Sequence, residues 1–261
     1  MSKDATEPQP IAGDLGRLCC PRELTRALDA YSRELAAALA GNLVGIYLCG
    51  SLARQCYHPA TSDVDIVVVT VEPCSEPSIT RILAAHARSG VPIDAIFVTR
   101  AQADLDHTPT PIDFALKPAD APPRAFRSPA GMGDWLLIRQ DLYECGLAIH
   151  GSPARTVIRP VPWQALAASL DFLFPHIVPR FKNPVLMLCR ICRAFANRAL
   201  SSKRTAGEWA LAHLDPRWRP LIESSLMKYR SGVADDQGPD ATLEAFAHYS
   251  SEYIANVRTG A

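Results

Sequence analysis

Gly45-Ile46-Tyr47-Leu48-Cys49-Gly50-Ser51, followed after a polar connection by Ser62-Asp63-Val64-Asp65-Ile66-Val67-Val68-Val69, is the stretch whose reading decides the fold. The first run is apolar over Leu43–Cys49, has the length of a strand and is bounded by Gly41 and Gly50. The second, Val64–Thr70, is β-branched apart from its acid and predicts a strand. Asp63 and Asp65 stand two apart at the mouth of that strand, so their side chains leave it on the same face. Carboxylates held that close repel unless a cation lies between them. Hard divalent ions with oxygen ligands suit the position, and Mg²⁺ typically also binds substrate phosphates. Gly50 lets the backbone turn and come close to a phosphate. The Ser51 hydroxyl and the amides around it can hold the terminal phosphates of a nucleotide.

Working outward, an amphipathic helix is predicted from Pro21 to about Ala40, a second helix near Pro77–Ala87 and a further strand at Val91–Thr99. Helix, strand, strand, helix, strand describes a small α/β unit. Asp94 opens the β-rich run Asp94-Ala-Ile-Phe-Val; if that run lies beside Val64–Thr70, Asp94 joins Asp63 and Asp65 at one end of the sheet. Three acids with two metal ions is what an in-line phosphoryl displacement needs. Residues 103–131, rich in proline and small residues, read as a long loop, and Asp134–His150 as a helical return closed by Gly151-Ser-Pro153.

Strand signals then cease. Asn183-Pro184 has the form of a helix cap and first turn, with Val185, Leu188, Cys192 and Phe195 on one apolar face. Thr205-Ala-Gly-Glu208 has the form of a capping box before Trp209. Leu221–Tyr229 and Leu243–Val257 complete a helical second half. The expected organisation is a flexible leader (1–20), an α/β domain with a mixed sheet (21–155) and an all-α helical-bundle domain (156–261).

Lys+Arg and Asp+Glu are 27 each, so the chain has no general attraction to nucleic acid or anionic membrane. No apolar run approaches the ~20 residues of a bilayer span. The start, MSKDATEPQP, lacks the features of a signal peptide. The eight cysteines are therefore expected as thiols in a reducing cytoplasm. Cys189 and Cys192 have a metal-like spacing, but without a partner pair they read as buried small side chains.

The ordered series strand, Gly50-Ser51, Ser62-Asp63-x-Asp65, strand, Asp94 resembles the polymerase-β-like nucleotidyltransferase superfamily. The helical half narrows the resemblance. Leu188-Cys-Arg190-Ile, Ser202-Lys203, Gly207-Glu-Trp209-Ala-Leu, Trp218-Arg-Pro-Leu-Ile222, Tyr229 and His248-Tyr249 look like the bacterial aminoglycoside adenylyltransferases that modify streptomycin and spectinomycin. The resemblance runs from about residue 25 to the C-terminus. It implies a nucleotidyltransferase domain closed over its cleft by the helical domain, with ATP as co-substrate and two Mg²⁺ ions. On the matching positions, Asp63 and Asp65 ligate metal, Gly50, Ser51 and Ser62 meet the triphosphate, and Asp134, Arg190, Lys203 and Tyr229 contact the nucleotide. Asp94 stands where the family carries a glutamate implied to be the catalytic base; its carboxylate is one methylene shorter and also a candidate metal ligand.

The implied acceptor is a small hydroxylated antibiotic; a monomer is expected. The family's streptomycin binders place a tryptophan and acids before the Arg190 helix. Here the matching positions hold Asp171, His176 and Arg180, and no acid occurs between Asp171 and Glu208. Spectinomycin, or another small molecule, is thereby favoured over streptomycin. An adenylylated protein hydroxyl is the alternative acceptor.

Overall fold

Alternation along the apolar runs builds the sheet. β1 (Leu43–Leu48) and β2 (Val64–Thr70) pair antiparallel, with Leu48 opposite Ile66. β3 (Ile93–Thr99) lies parallel to β2, with Asp94 directly beside Asp65. Two strands absent from the sequence reading complete the sheet. β4 (Phe114–Leu116) sits inside the predicted loop and pairs antiparallel with β3. β5 (Leu147–Gly151) occupies the end of the predicted helical return and pairs antiparallel with β1. The order is β4-β3-β2-β1-β5, a mixed sheet.

The computed structural model describes residues 20–118, 122–128, 130–233 and 240–260. The expected leader therefore lies outside the described residues apart from Cys20, as does the Arg180 side chain. Five helices punctuate the first part: α1 (Arg22–Leu39), α2 (Gly50–Ala53), α3 (Glu76–Arg88), α4 (Arg100–Ala103) and α5 (Trp135–Cys145). Short α6 (Ala154–Val157) leads into α7 (Trp163–Leu173), α8 (Ile177–Arg180), α9 (Pro184–Asn197), α10 (Lys203–His213), α11 (Arg219–Ser231) and α12 (Ala241–Thr259).

Both faces of the sheet are buried, which is why its central strands are apolar at nearly every position. Ile46, Leu48, Ile66, Val68 and Phe97 face one core with Leu28 and Leu35 of α1 and Ile82 of α3. Tyr47, Val67, Val69 and Val98 face the other. That second core does not stop at the sheet: it continues through Trp135 and Leu136 of α5 into Leu186 and Leu188 of α9 and Phe246 of α12.

Two helix starts differ from their sequence reading. Ser202, not Thr205, caps α10: its hydroxyl accepts the Thr205 amide at 3.0 Å. Asn183 precedes Pro184 at the start of α9, but its backbone is left-handed (φ 57°) and its side chain caps nothing. The chain enters α9 from a sharp turn, and the Asn183 Oδ1 is buried without a hydrogen-bond partner among the described residues.

Gly207 lets α10 lie close to its neighbours. A Cβ there would stand 2.8 Å from Leu226 Cδ2 and 2.9 Å from Leu186 Cδ2, both on buried leucines. Gly207→Ala gains ~1 kcal/mol of helix propensity and meets an overpacking cost of about 2 kcal/mol. The expected result is a net loss of about 1 kcal/mol, read as a lower midpoint in thermal denaturation.

Candidate active site

The strand ends that converge at one edge of the sheet make the site. Gly50 follows β1 with φ +62°, and a Cβ there would lie 1.9 Å from Asp65 Oδ2. The glycine is needed for both reasons, a left-handed backbone and direct contact with the acid. Asp141 of α5 fixes this turn. Its Oδ2 accepts the Gly50 amide at 2.9 Å, and its Oδ1 accepts Arg54 Nε at 2.6 Å. Arg54 also donates to Glu144 at 2.9 Å. Across the cleft, Arg190 of α9 approaches the same Asp141 at 3.6 Å. One carboxylate thus ties the glycine turn to both halves of the protein.

Asp65 and Asp94 stand side by side on neighbouring strands, and Asp63, two residues before Asp65, borders the same cleft. Burial, then the charges of Asp94, Asp141 and Asp63, push the Asp65 carboxyl up from 3.8 to about 7. Its two neighbours are turned toward lysines. Lys182 Nζ lies 3.4 Å from Asp63 Oδ2, and Lys117 Nζ lies 2.8 and 3.1 Å from the two oxygens of Asp94. Among the described residues no three acid, histidine or thiol groups stand close enough together to hold a metal ion. The donor chemistry nevertheless fits a hard divalent cation: three carboxylates at one sheet edge, one of them strained by its own charge.

A basic wall faces the acids. Lys203, the first residue of α10, donates to the Lys182 carbonyl at 3.3 Å. Burial, then the positive charge of Arg190, lowers its ammonium to about 8. Tyr229 of α11 borders the same space, its hydroxyl 3.8 Å from Cys56 Sγ. Ser51 and Ser62 line it from the other side, Ser62 Oγ accepting the His58 amide at 3.0 Å. Asp134 opens α5 without capping it; burial raises its carboxyl, and Lys117 opposes that shift. The ten residues expected to bind metal or nucleotide or to act in catalysis all border one cleft of about 290 Å³ between the sheet edge and α9–α11.

Lys117, Arg54, Asp141 and Glu144 were not singled out. Lys117 depends on the three-residue β4, and Arg54 on a turn with no composition signal. For Asp141 a signal existed: it lies seven residues after Asp134, on the same helical face. Asp171 is ion-paired with Arg258 of α12 and is not among the cleft-lining residues, and the His176 ring packs edge-on to Phe172. Cys189 and Cys192 are buried free thiols in α9, as read from the sequence. No helix among the described residues is long and apolar enough to cross a membrane.

Comparison with known proteins agrees with this architecture. Residues 32–118 match the nucleotidyltransferase domain, and residues 156–253 match the aminoglycoside adenylyltransferase C-terminal domain. The spectinomycin 9-adenylyltransferase of Campylobacter jejuni is 22% identical over 241 residues, 83% of this chain and 88% of that protein. The crystal structure of spectinomycin adenyltransferase AAD(9) from Enterococcus faecialis with ATP and spectinomycin shares the fold. It superposes with a TM-score of 0.68 at 16% identity, over 89% of this chain and 98% of that one. The chain thus joins a nucleotidyltransferase domain to a helical half that matches the C-terminal domain of the aminoglycoside adenylyltransferases.

Proposed function

We propose that the protein transfers AMP from ATP to a hydroxyl of an aminocyclitol or aminoglycoside antibiotic, in the presence of Mg²⁺, and so confers resistance. The observation that carries this reading is the row at the sheet edge: glycine turn, Asp65, Asp94, faced by Arg190 and Lys203. Asp63, Asp65 and Asp94 would hold the divalent cation. When bound, the ion neutralises charge on the triphosphate and on the departing pyrophosphate.

The chain's own residues do the rest. Arg190, Lys203, Ser51 and the amides after Gly50 bind and orient the β- and γ-phosphates, with Ser62, Asp134 and Tyr229 bordering the nucleotide. The acceptor oxygen forms its bond to the α-phosphorus as the bond from that phosphorus to the bridging oxygen breaks. Pyrophosphate leaves with the bond electrons, and the hydroxyl proton passes to an Asp94 oxygen.

Spectinomycin is favoured over streptomycin. The helical half contributes Lys182, Arg190 and Lys203 to the cleft and no carboxylate, so a strongly cationic drug meets little attraction there. The reading places the enzyme in the cytoplasm as a monomer. Purified protein with Mg-ATP and a panel of both drugs tests it by pyrophosphate release and product mass. A product heavier by one adenylyl group is expected with spectinomycin. Turnover of neither drug overturns the antibiotic reading.

A further inference from the structure

The four strand ends at the site form a sequence across the sheet edge. Gly50-Ser51 follow β1, Asp65 lies on β2, Asp94 on β3, and Lys117 immediately follows β4. Pairing fixes this row: Leu48 is opposite Ile66, Asp65 beside Asp94, and Ala95 opposite Leu116. The groups assigned to the phosphates gather at one end: Arg190 approaches Asp141, which holds the Gly50 amide, and Lys203 borders the cleft beside Arg190. Lys117 is at the other end, between Asp94 and Asp134.

An in-line displacement gives this row a direction. The attacking oxygen and the departing pyrophosphate lie on opposite sides of the α-phosphorus. With the pyrophosphate at the Ser51 and Lys203 end, the acceptor hydroxyl arrives at the β3–β4 end. A cation that lines the cleft at that end is Lys117, whose side chain is 44% exposed.

We infer that Lys117 is a specificity-determining residue: its ammonium beside Asp94 selects acceptors with little positive charge around the hydroxyl that is attacked. This deepens the proposed function and rests on its assignment of the nucleotide end. A drug ammonium near Asp94 would have to displace Lys117 from that carboxylate or stand beside a like charge, and either is unfavourable. A hydroxyl with neutral or weakly cationic surroundings meets no such penalty. The same acid is thereby kept for the hydroxyl proton and closed to ammonium recognition. Streptomycin, the more highly cationic of the two drugs, is the one this arrangement disfavours.

The test compares the wild type with Lys117→Met, which keeps the stem and removes the charge, and Lys117→Arg, which keeps the charge. Steady-state kcat and KM are measured for spectinomycin and streptomycin by pyrophosphate release. K117M is expected to raise the streptomycin-to-spectinomycin ratio of kcat/KM about tenfold, chiefly through a lower KM for streptomycin. K117R is expected to leave that ratio within about twofold of the wild type. Equal losses on both drugs in K117M overturn the inference and make Lys117 a structural partner of Asp94.

If the wild type turns over neither drug, the antibiotic reading fails separately. Binding of the two drugs to the wild type and K117M, loaded with Mg²⁺ and a non-hydrolysable ATP analogue, then decides the role of Lys117. A shift of about tenfold in the ratio of dissociation constants sustains the inference, and an unchanged ratio overturns it.

Discussion

Asp65→Asn is expected to abolish nucleotidyl transfer while making the metal-free protein more stable. On the proposed reaction, losing a carboxylate that would hold the cation at the triphosphate removes several kcal/mol of transition-state stabilisation, about a thousandfold in kcat. Stability moves the other way because the folded protein resists the Asp65 charge. Burial and the charges of Asp94, Asp141 and Asp63 raise its carboxyl to about 7, whereas the unfolded chain titrates near 3.8. Between those values the folded state binds more protons than the unfolded state, so stability falls as pH rises through that window. At pH 8 without Mg²⁺ the penalty is fully present in the wild type and absent in D65N, on the order of 4 kcal/mol. Thermal denaturation from pH 5 to 8 checks this: a falling midpoint is expected for the wild type and a flatter profile for D65N. Mg-ATP should raise the midpoint of the wild type and leave D65N nearly unmoved. An inactive D65N with a lower midpoint at pH 8 would assign Asp65 a structural role instead.

Lys203→Met carries the second large effect. Lys203 opens α10, where an ammonium and the helix N-terminus both favour phosphate oxygens. Its removal is expected to raise the KM for ATP about a hundredfold, with a smaller fall in kcat. The pH profile separates binding from folding. Burial and the nearby Arg190 lower the Lys203 ammonium to about 8 from 10.5. ATP affinity of the free wild type should therefore weaken above pH 8, and that inflection should vanish in K203M. Stability responds with the opposite sign. The unfolded state binds the extra proton between about 8 and 10.5, so the cost of holding a charged Lys203 is relieved as pH rises through that range. Equilibrium ATP binding and thermal denaturation across pH 7–10 read both quantities.

The site was legible where one local pattern carried it. Val64–Thr70 could hardly be other than a strand, and the acids at its mouth were fixed on one face by period alone. Asp94 needed one further condition, a parallel neighbour to β2, and the register supplies it. The missed strands owe their existence to pairing rather than to composition. β4 has only three residues and follows a proline-rich run, and β5 continues a helical pattern until Gly146 turns to extended backbone. The Lys117 partnership was illegible because it follows from β4. Arg54 and Asp141 meet across 87 residues of chain, a separation that no local spacing encodes. The start of α10 was misplaced by one turn because Ser202 and Thr205 both satisfy the pattern of a cap, and the tertiary course of the chain chose Ser202.

The core behind the sheet constrains how such an enzyme can be recombined. Val67, Val69 and Val98 on the strands belong to the same packed set as Leu186 and Leu188 on α9. A chimaera that joins this sheet to the helical half of a distant relative would break that set at its centre, however well the cleft residues were matched. Grafting a new acceptor preference therefore favours exchanges at the rim, at positions such as Lys117, over transplantation of the whole helical half.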